Sequence, residues 1–206
     1  MKPKKALFIT CDGPEGSGKS TQSLMLVRAL EKEGHSVVHA IEPGGTELGD
    51  KIRQLLLHHS ASKSPHAETL LFMASRAQLV EEVIRPALKE RKIVVCDRWL
   101  DATIAYQGYG LGVNTKWIQN IAHGFLGKLK PNLSFYFDVK TEEGLKRASS
   151  RSKPDEIEKR NIGFHKRVRQ GYLAITKSEK RFVVIPPADI QTTHQKVMET
   201  AHRVLA

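Results

Sequence analysis

Residues 6–33 read ALFITCDGPEGSGKSTQSLMLVRALEKE. Ala6 to Cys11 is a short apolar run of strand size, and it ends on the Gly-rich stretch Asp12-Gly13-Pro14-Glu15-Gly16-Ser17-Gly18. Helix formers follow from Lys19 to Glu33, with Leu24, Val27 and Leu30 at helical spacing and Gly34 placed as a C-cap. Gly13 to Ser20 fits the pattern GxxxxGK[ST], between a strand and a helix as that pattern requires. Glycines let the backbone wrap close to phosphates, and successive N–H groups then point inward as an anion nest. The helix that follows adds its positive N-terminal dipole. Gly13, Pro14, Glu15, Gly16, Ser17, Gly18, Lys19, Ser20 and Thr21 are therefore predicted to surround nucleotide phosphates. Lys19 would reach the β and γ phosphates, and the Ser20 hydroxyl would bind Mg²⁺.

Outward from this loop, apolar runs predict further strands at Ser36–Ile41, Ile93–Asp97, Leu133–Val139 and Arg181–Ile185. Helices fit 46–58, 114–127, 141–152, 160–178 and 189–205. Residues 66–90 form one long amphipathic pattern, with Leu70, Met73, Ala77, Ile84 and Leu88 assigned to one face. Strands alternating with helices predict an α/β, three-layer fold of the phosphate-loop NTPase type: a five-stranded parallel sheet flanked by helices. No repeat or linker divides the chain, so 1–206 is expected to be a single domain.

The 206 residues suffice for one sizeable core. No apolar run approaches the roughly 18 residues of a membrane span. The basic start Met1-Lys2-Pro3-Lys4-Lys5 leads into an apolar stretch that stops at Asp12, so no secretory leader is expected. Cys11 and Cys96 each end an apolar run and read as small buried hydrophobes rather than a disulfide. A cytoplasmic protein is the expectation. The net charge of +11 favours anionic partners, and residues 146–181 alone hold twelve basic against four acidic side chains. Composition does not separate nucleic acid from phosphorylated small molecules.

Five segments do. FITCDGPEGSGKST (8–21), EPGGTELGDKIRQLLL (42–57), ETLLFMASRAQLVEEVIRPAL (68–88), CDRWLDATIAYQGYG (96–110) and GLKRASSRSKPDEIE (144–158) together resemble the thymidylate kinase family, in family order and at family spacing. The resemblance implies transfer of the γ-phosphoryl of ATP onto dTMP, giving dTDP, with Mg²⁺ and as a homodimer. It implies that Arg98 contacts the acceptor phosphate and the transferred group while Asp97 organises the metal. Phe72 would stack on thymine and Arg76 would bond the base edge, with further base contacts from Thr103 and Gln107. Tyr106 would lie against the sugar, Glu15 would accept from the 3′-hydroxyl, and Asp12 would sit near the phosphates and metal.

Residues 144–158 resemble the family's lid. Gly16 stands where some members carry an arginine, so the catalytic arginine is expected from the lid, where Arg147 and Arg151 are four residues apart. Arg151, nearer the Pro154 break, is expected to reach over ATP, and Arg147 to hold the lid or an acid. Ser149, Glu156, Ile41 and Trp99 depart from the family's usual residues. An acceptor phosphate is already ionised near neutral pH, so no general base is needed. Lys19, Arg98, Arg151 and Mg²⁺ would neutralise the two anions brought together.

Other classes fit less well. A GTPase switch would need Asp-x-x-Gly after the third strand, where this chain has Asp97-Arg98-Trp99-Leu100. A nucleic-acid-binding ATPase would need a basic face interleaved with aromatics, and residues 146–181 contain only Phe164 and Tyr172. Another nucleoside-monophosphate kinase is the nearest alternative, opposed by the residues expected to face the base. No nucleic-acid or membrane partner is expected.

Overall fold

The computed structural model describes residues 6–151 and 153–206; the basic start Met1–Lys5 lies outside them. In chain order the elements are β1 (Leu7–Asp12), α1 (Lys19–Lys32), β2 (Val37–Ile41), α2 (Glu47–Leu57) and α3 (Pro65–Leu79). A π-helical turn (Val80–Ile84) continues α3 into α4 (Arg85–Lys89). Next come β3 (Ile93–Asp97), α5 (Leu100–Thr103), a second π-helical stretch (Ile104–Gly110), α6 (Thr115–Leu126) and β4 (Leu133–Phe137). The chain closes with α7 (Thr141–Ser149), α8 (Ile162–Ser178), β5 (Phe182–Ile185) and α9 (Ile190–Leu205).

The five strands pair in parallel in the order β2-β3-β1-β4-β5. Alternate residues bury on opposite faces. Phe8, Val94, Cys96 and Tyr136 join one core, while Ile9, Cys11, Val95, Phe135 and Phe137 join the other. Helices cover both, so the central strands β1, β3 and β4 are buried along their whole length. α1 and α9 pack together over the second core, and the remaining long helices enclose the first. This is the predicted three-layer α/β architecture.

Register places the site. Cys11 and Ile41 both lie opposite Asp97, so β1, β2 and β3 end side by side. The loops that follow them, carrying the phosphate loop, Glu42 and Arg98, share one edge of the sheet, the carboxyl edge where such sheets bind ligands.

Three expectations need correcting. Residues 100–110 were given no helix, yet they form α5 and the π-helical stretch, buried almost throughout. The inward face of α3 is not the apolar stripe through Leu70, which is exposed; it carries Glu68, Thr69, Ser75 and Arg76 beside Met73 and Leu79. Leu24 of α1 is likewise exposed, with Gln22 and Ser23 buried instead. Both cysteines are free and buried, as expected.

Candidate active site

The phosphate loop turns as its glycines require. Gly16 and Gly18 adopt left-handed backbone (φ 66° and 87°), which a side chain resists. A Cβ on Gly16 would lie 2.0 Å from the Gly144 carbonyl oxygen, and one on Gly144 would lie 2.3 Å from the Glu15 carbonyl oxygen. The loop and α7 therefore touch backbone to backbone. Lys19 opens α1, buried, and its Nζ donates to the Pro14 carbonyl at 3.2 Å. The Ser17 hydroxyl is buried without a partner among the described residues.

A cleft opens beside this loop. Of the residues predicted from sequence, Glu15, Lys19, Ser20, Phe72, Arg76, Asp97, Arg98, Thr103, Tyr106, Gln107 and Arg151 line it. The structure thus gathers side chains from five separate stretches around one space. Asp12 lies beneath, fully buried, where its Oδ1 accepts from the Trp99 backbone N–H at 3.3 Å. Gly13, Pro14, Gly16, Ser17 and Gly18 form the loop itself, and Thr21 is exposed on α1. Arg147 is outside the lining. It pairs with Glu143 one turn back on α7, while Arg151, beyond the helix end at Ser149, does line the cleft. The expected helix to residue 152 therefore stops short, and the two arginines do not share a helix face. Residues 153–158 dock over the cleft: the Glu156 N–H donates to the Leu57 carbonyl at 3.1 Å, and Ile157 is buried.

Arg98 has left-handed backbone (φ 71°), rare for a side-chain-bearing residue and common at functional sites. Its guanidinium meets Glu15 at 2.6 Å, and the Tyr106 hydroxyl donates to the same carboxylate oxygen at 2.7 Å. Burial alone would push the Glu15 carboxyl up, but Arg98, Lys19 and the Tyr106 hydrogen bond hold it at about 2. For Lys19, burial and the neighbouring Arg98 push the amine down, against Glu15, Asp97 and Asp12. Asp12 is pushed up to about 7 by burial and by Asp101, against the pull of Arg181 and Arg98.

At the end of the cleft away from the phosphate loop, Arg76 is 1% exposed and meets Glu42 at 2.6 Å; it also donates to the Thr103 hydroxyl at 3.0 Å. Sequence reasoning assigned Glu42 and Arg53 no role. Arg53, half-buried on α2 between the buried Ile52 and Leu56, lines the cleft and donates to the Pro43 carbonyl at 2.7 Å. An arginine on the inward side of an amphipathic helix was the available signal. Asp155 and Glu158, at the end of the predicted lid, also line the cleft.

A parallel sheet with a phosphate loop after its central strand and an acid–arginine pair ending the neighbouring strand defines a phosphate-loop NTPase. Comparison with known proteins narrows this. The thymidylate kinase family profile matches residues 11–197, and the chain belongs to that family. It is 43% identical over 195 residues to the thymidylate kinase of Kosmotoga olearia, covering 94% of each chain. Over 182 residues it is 44% identical to that of Deinococcus radiodurans, covering 88% of each. The crystal structure of thymidylate kinase from Ehrlichia chaffeensis superposes with a TM-score of 0.80 at 33% identity, across 96% of this chain and 99% of that one.

Proposed function

We propose that the protein phosphorylates dTMP to dTDP with ATP as donor. The observation that carries this is one cleft joining the phosphate loop to Arg98 and, beyond it, to Phe72, Arg76, Thr103 and Gln107. Lys19 and the loop N–H groups would hold the donor phosphates, and Arg98 the acceptor phosphate. Glu15 pairs with Arg98 and would accept from the sugar 3′-hydroxyl. Arg151 enters from the segment 144–158, which serves as a lid and excludes water. Catalysis is then positioning plus charge neutralisation.

Mg²⁺ suits this site. The Asp97 Oδ1 is buried with no partner among the described residues, and Ser20 lines the same cleft. Magnesium commonly takes one or two protein oxygens and completes its shell with phosphates and water. Ser20 and Asp97 would hold it, and when bound it neutralises phosphate charge. Homodimer formation and a cytoplasmic location belong to the same reading. Leu48, Leu55 and Leu70, exposed on α2 and α3, offer apolar surface for a second copy; sedimentation at micromolar concentration would detect it.

An ADP-release assay across nucleoside monophosphates tests the acceptor. dTMP should lead, with dUMP poorer but active, because one methyl in an apolar pocket contributes about 1–3 kcal/mol. Equal or better turnover of CMP, UMP or AMP would end the thymidylate reading.

A further inference from the structure

Glu68 stands on the first turn of α3, 2% exposed, with both carboxylate oxygens engaged. Oε1 accepts from the Gln107 side-chain nitrogen at 3.0 Å, and Oε2 from Arg160 at 2.5 Å. Arg160 is itself held, its guanidinium 4.7 Å over the Phe164 ring. An ionised carboxylate only accepts hydrogen bonds. Gln107 must therefore turn its NH₂ toward Glu68, with one N–H spent there, so the acceptor it holds away from Glu68 for a ligand is its carbonyl oxygen. Gln107 is 1% exposed and lines the cleft, so the sense of its amide is decided inside the protein and not by solvent.

We infer that Glu68 is a positioning residue that fixes Gln107 with its acceptor toward the pyrimidine and so selects a base whose N3 bears a hydrogen. This rests on Gln107 facing the base, as proposed above. Thymine and uracil donate at N3, whereas cytosine presents a lone pair there. Two acceptors opposed in a buried site leave both unsatisfied, which discriminates far more strongly than a missing methyl. Arg76 has the matching arrangement at the neighbouring position, since the buried Glu42 fixes its guanidinium. Arg76 and Gln107 are thus each oriented by a buried acid.

With ATP saturating, Glu68→Gln should lower the dTMP-over-dCMP ratio of kcat/KM at least ~tenfold. The new amide can donate to the Gln107 carbonyl and release the Gln107 nitrogen toward the base. The KM for dTMP should rise more than kcat falls, as expected for lost binding orientation. Combining Glu68→Gln with Gln107→Glu should restore the ratio, because the new amide donates to the new carboxylate, whose other oxygen faces the base as an acceptor. An unchanged ratio in Glu68→Gln, a loss confined to kcat, or no restoration in the pair overturns the inference.

Should Glu68→Gln alone fail to fold, Gln107→Glu alone opposes two carboxylates and should bind dTMP at least ~tenfold more weakly than the pair. Equal binding overturns it. Without any variant, calorimetry should find 5-methyl-dCMP bound at least ~100-fold more weakly than dTMP, since it keeps the methyl and reverses N3. Comparable affinities count against Glu68 setting the amide. A wild-type enzyme that prefers another monophosphate in the reference assay would instead remove the acceptor reading, so the two failures are distinct.

Discussion

Arg151 and Arg147 lie four residues apart, yet one lines the cleft and the other is tied to Glu143. The difference arises because α7 ends at Ser149, which frees Arg151 from the helix while Arg147 stays on it. Arg151→Ala should lower kcat at least ~10²-fold, in line with arginines that stabilise transferring phosphoryl groups. ATP and dTMP binding should change by less than roughly tenfold. Arg151→Lys should recover little, because a point charge does not bridge two phosphate oxygens. Stopped-flow turnover beside nucleotide titrations checks both; near-normal kcat in Arg151→Ala with none in Arg147→Ala would reverse the roles. Glu15 makes a second prediction. Its folded carboxyl, at about 2, lies below its ordinary value of 4.5. The sign is therefore stabilising above pH 4.5, with the contribution lost as pH falls toward 2. At about 1.4 kcal/mol per pKa unit, this amounts to roughly 3 kcal/mol for a group so little exposed. Urea unfolding of wild type and Glu15→Gln should differ by about that much at pH 7, with the difference shrinking below pH 4.5 and vanishing only as the pH approaches 2; a difference independent of pH would show that Glu15 acts through packing.

The contact between the phosphate loop and α7 couples two elements that the sequence treats separately. A side chain at Gly16 has no room while α7 sits where it does. Glycine in the loop and an arginine supplied from beyond α7 are therefore two halves of one arrangement. Gly144→Ala would press its Cβ into the Glu15 carbonyl, so it should destabilise by about 1–3 kcal/mol and weaken ATP binding through the displaced loop. Thermal melting with and without ATP measures both, and an unchanged ATP-induced shift would separate α7 from the loop. The strands were legible as short apolar runs, buried at every position in β1, β3 and β4, and most helices by their apolar period. Residues 100–110 were not, since they bury on nearly every side and carry Gly108 and Gly110 inside a π-helical stretch. Such a segment has no polar face to mark a helical period, and its glycines are poor helix formers. The inner face of α3 was misjudged for a related reason: Glu68 looks like a solvated residue until its partners, Gln107 and Arg160, are brought in from distant segments. The phosphate loop is local and needed no such assembly.

For the molecule as a whole, the excess of +11 is net of every acid, but part of the arginine complement is held in ion pairs within the fold. Arg76, Arg98, Arg160, Arg169 and Arg181 all pair with carboxylates. Labelled DNA or RNA titrated at physiological salt should bind only weakly and with steep salt dependence. Submicromolar binding that ATP and dTMP fail to displace would assign the charge to nucleic acid. The two cysteines carry a different consequence. Burial and neighbouring carboxylates push both thiols well above their ordinary range, and neither has any exposed surface, so neither offers a thiolate to an electrophile. Ser149 at the end of α7 is exposed. A Ser149→Cys variant should therefore take a single maleimide fluorophore without removal of the native cysteines, and its emission during turnover would test the proposed lid role of residues 144–158.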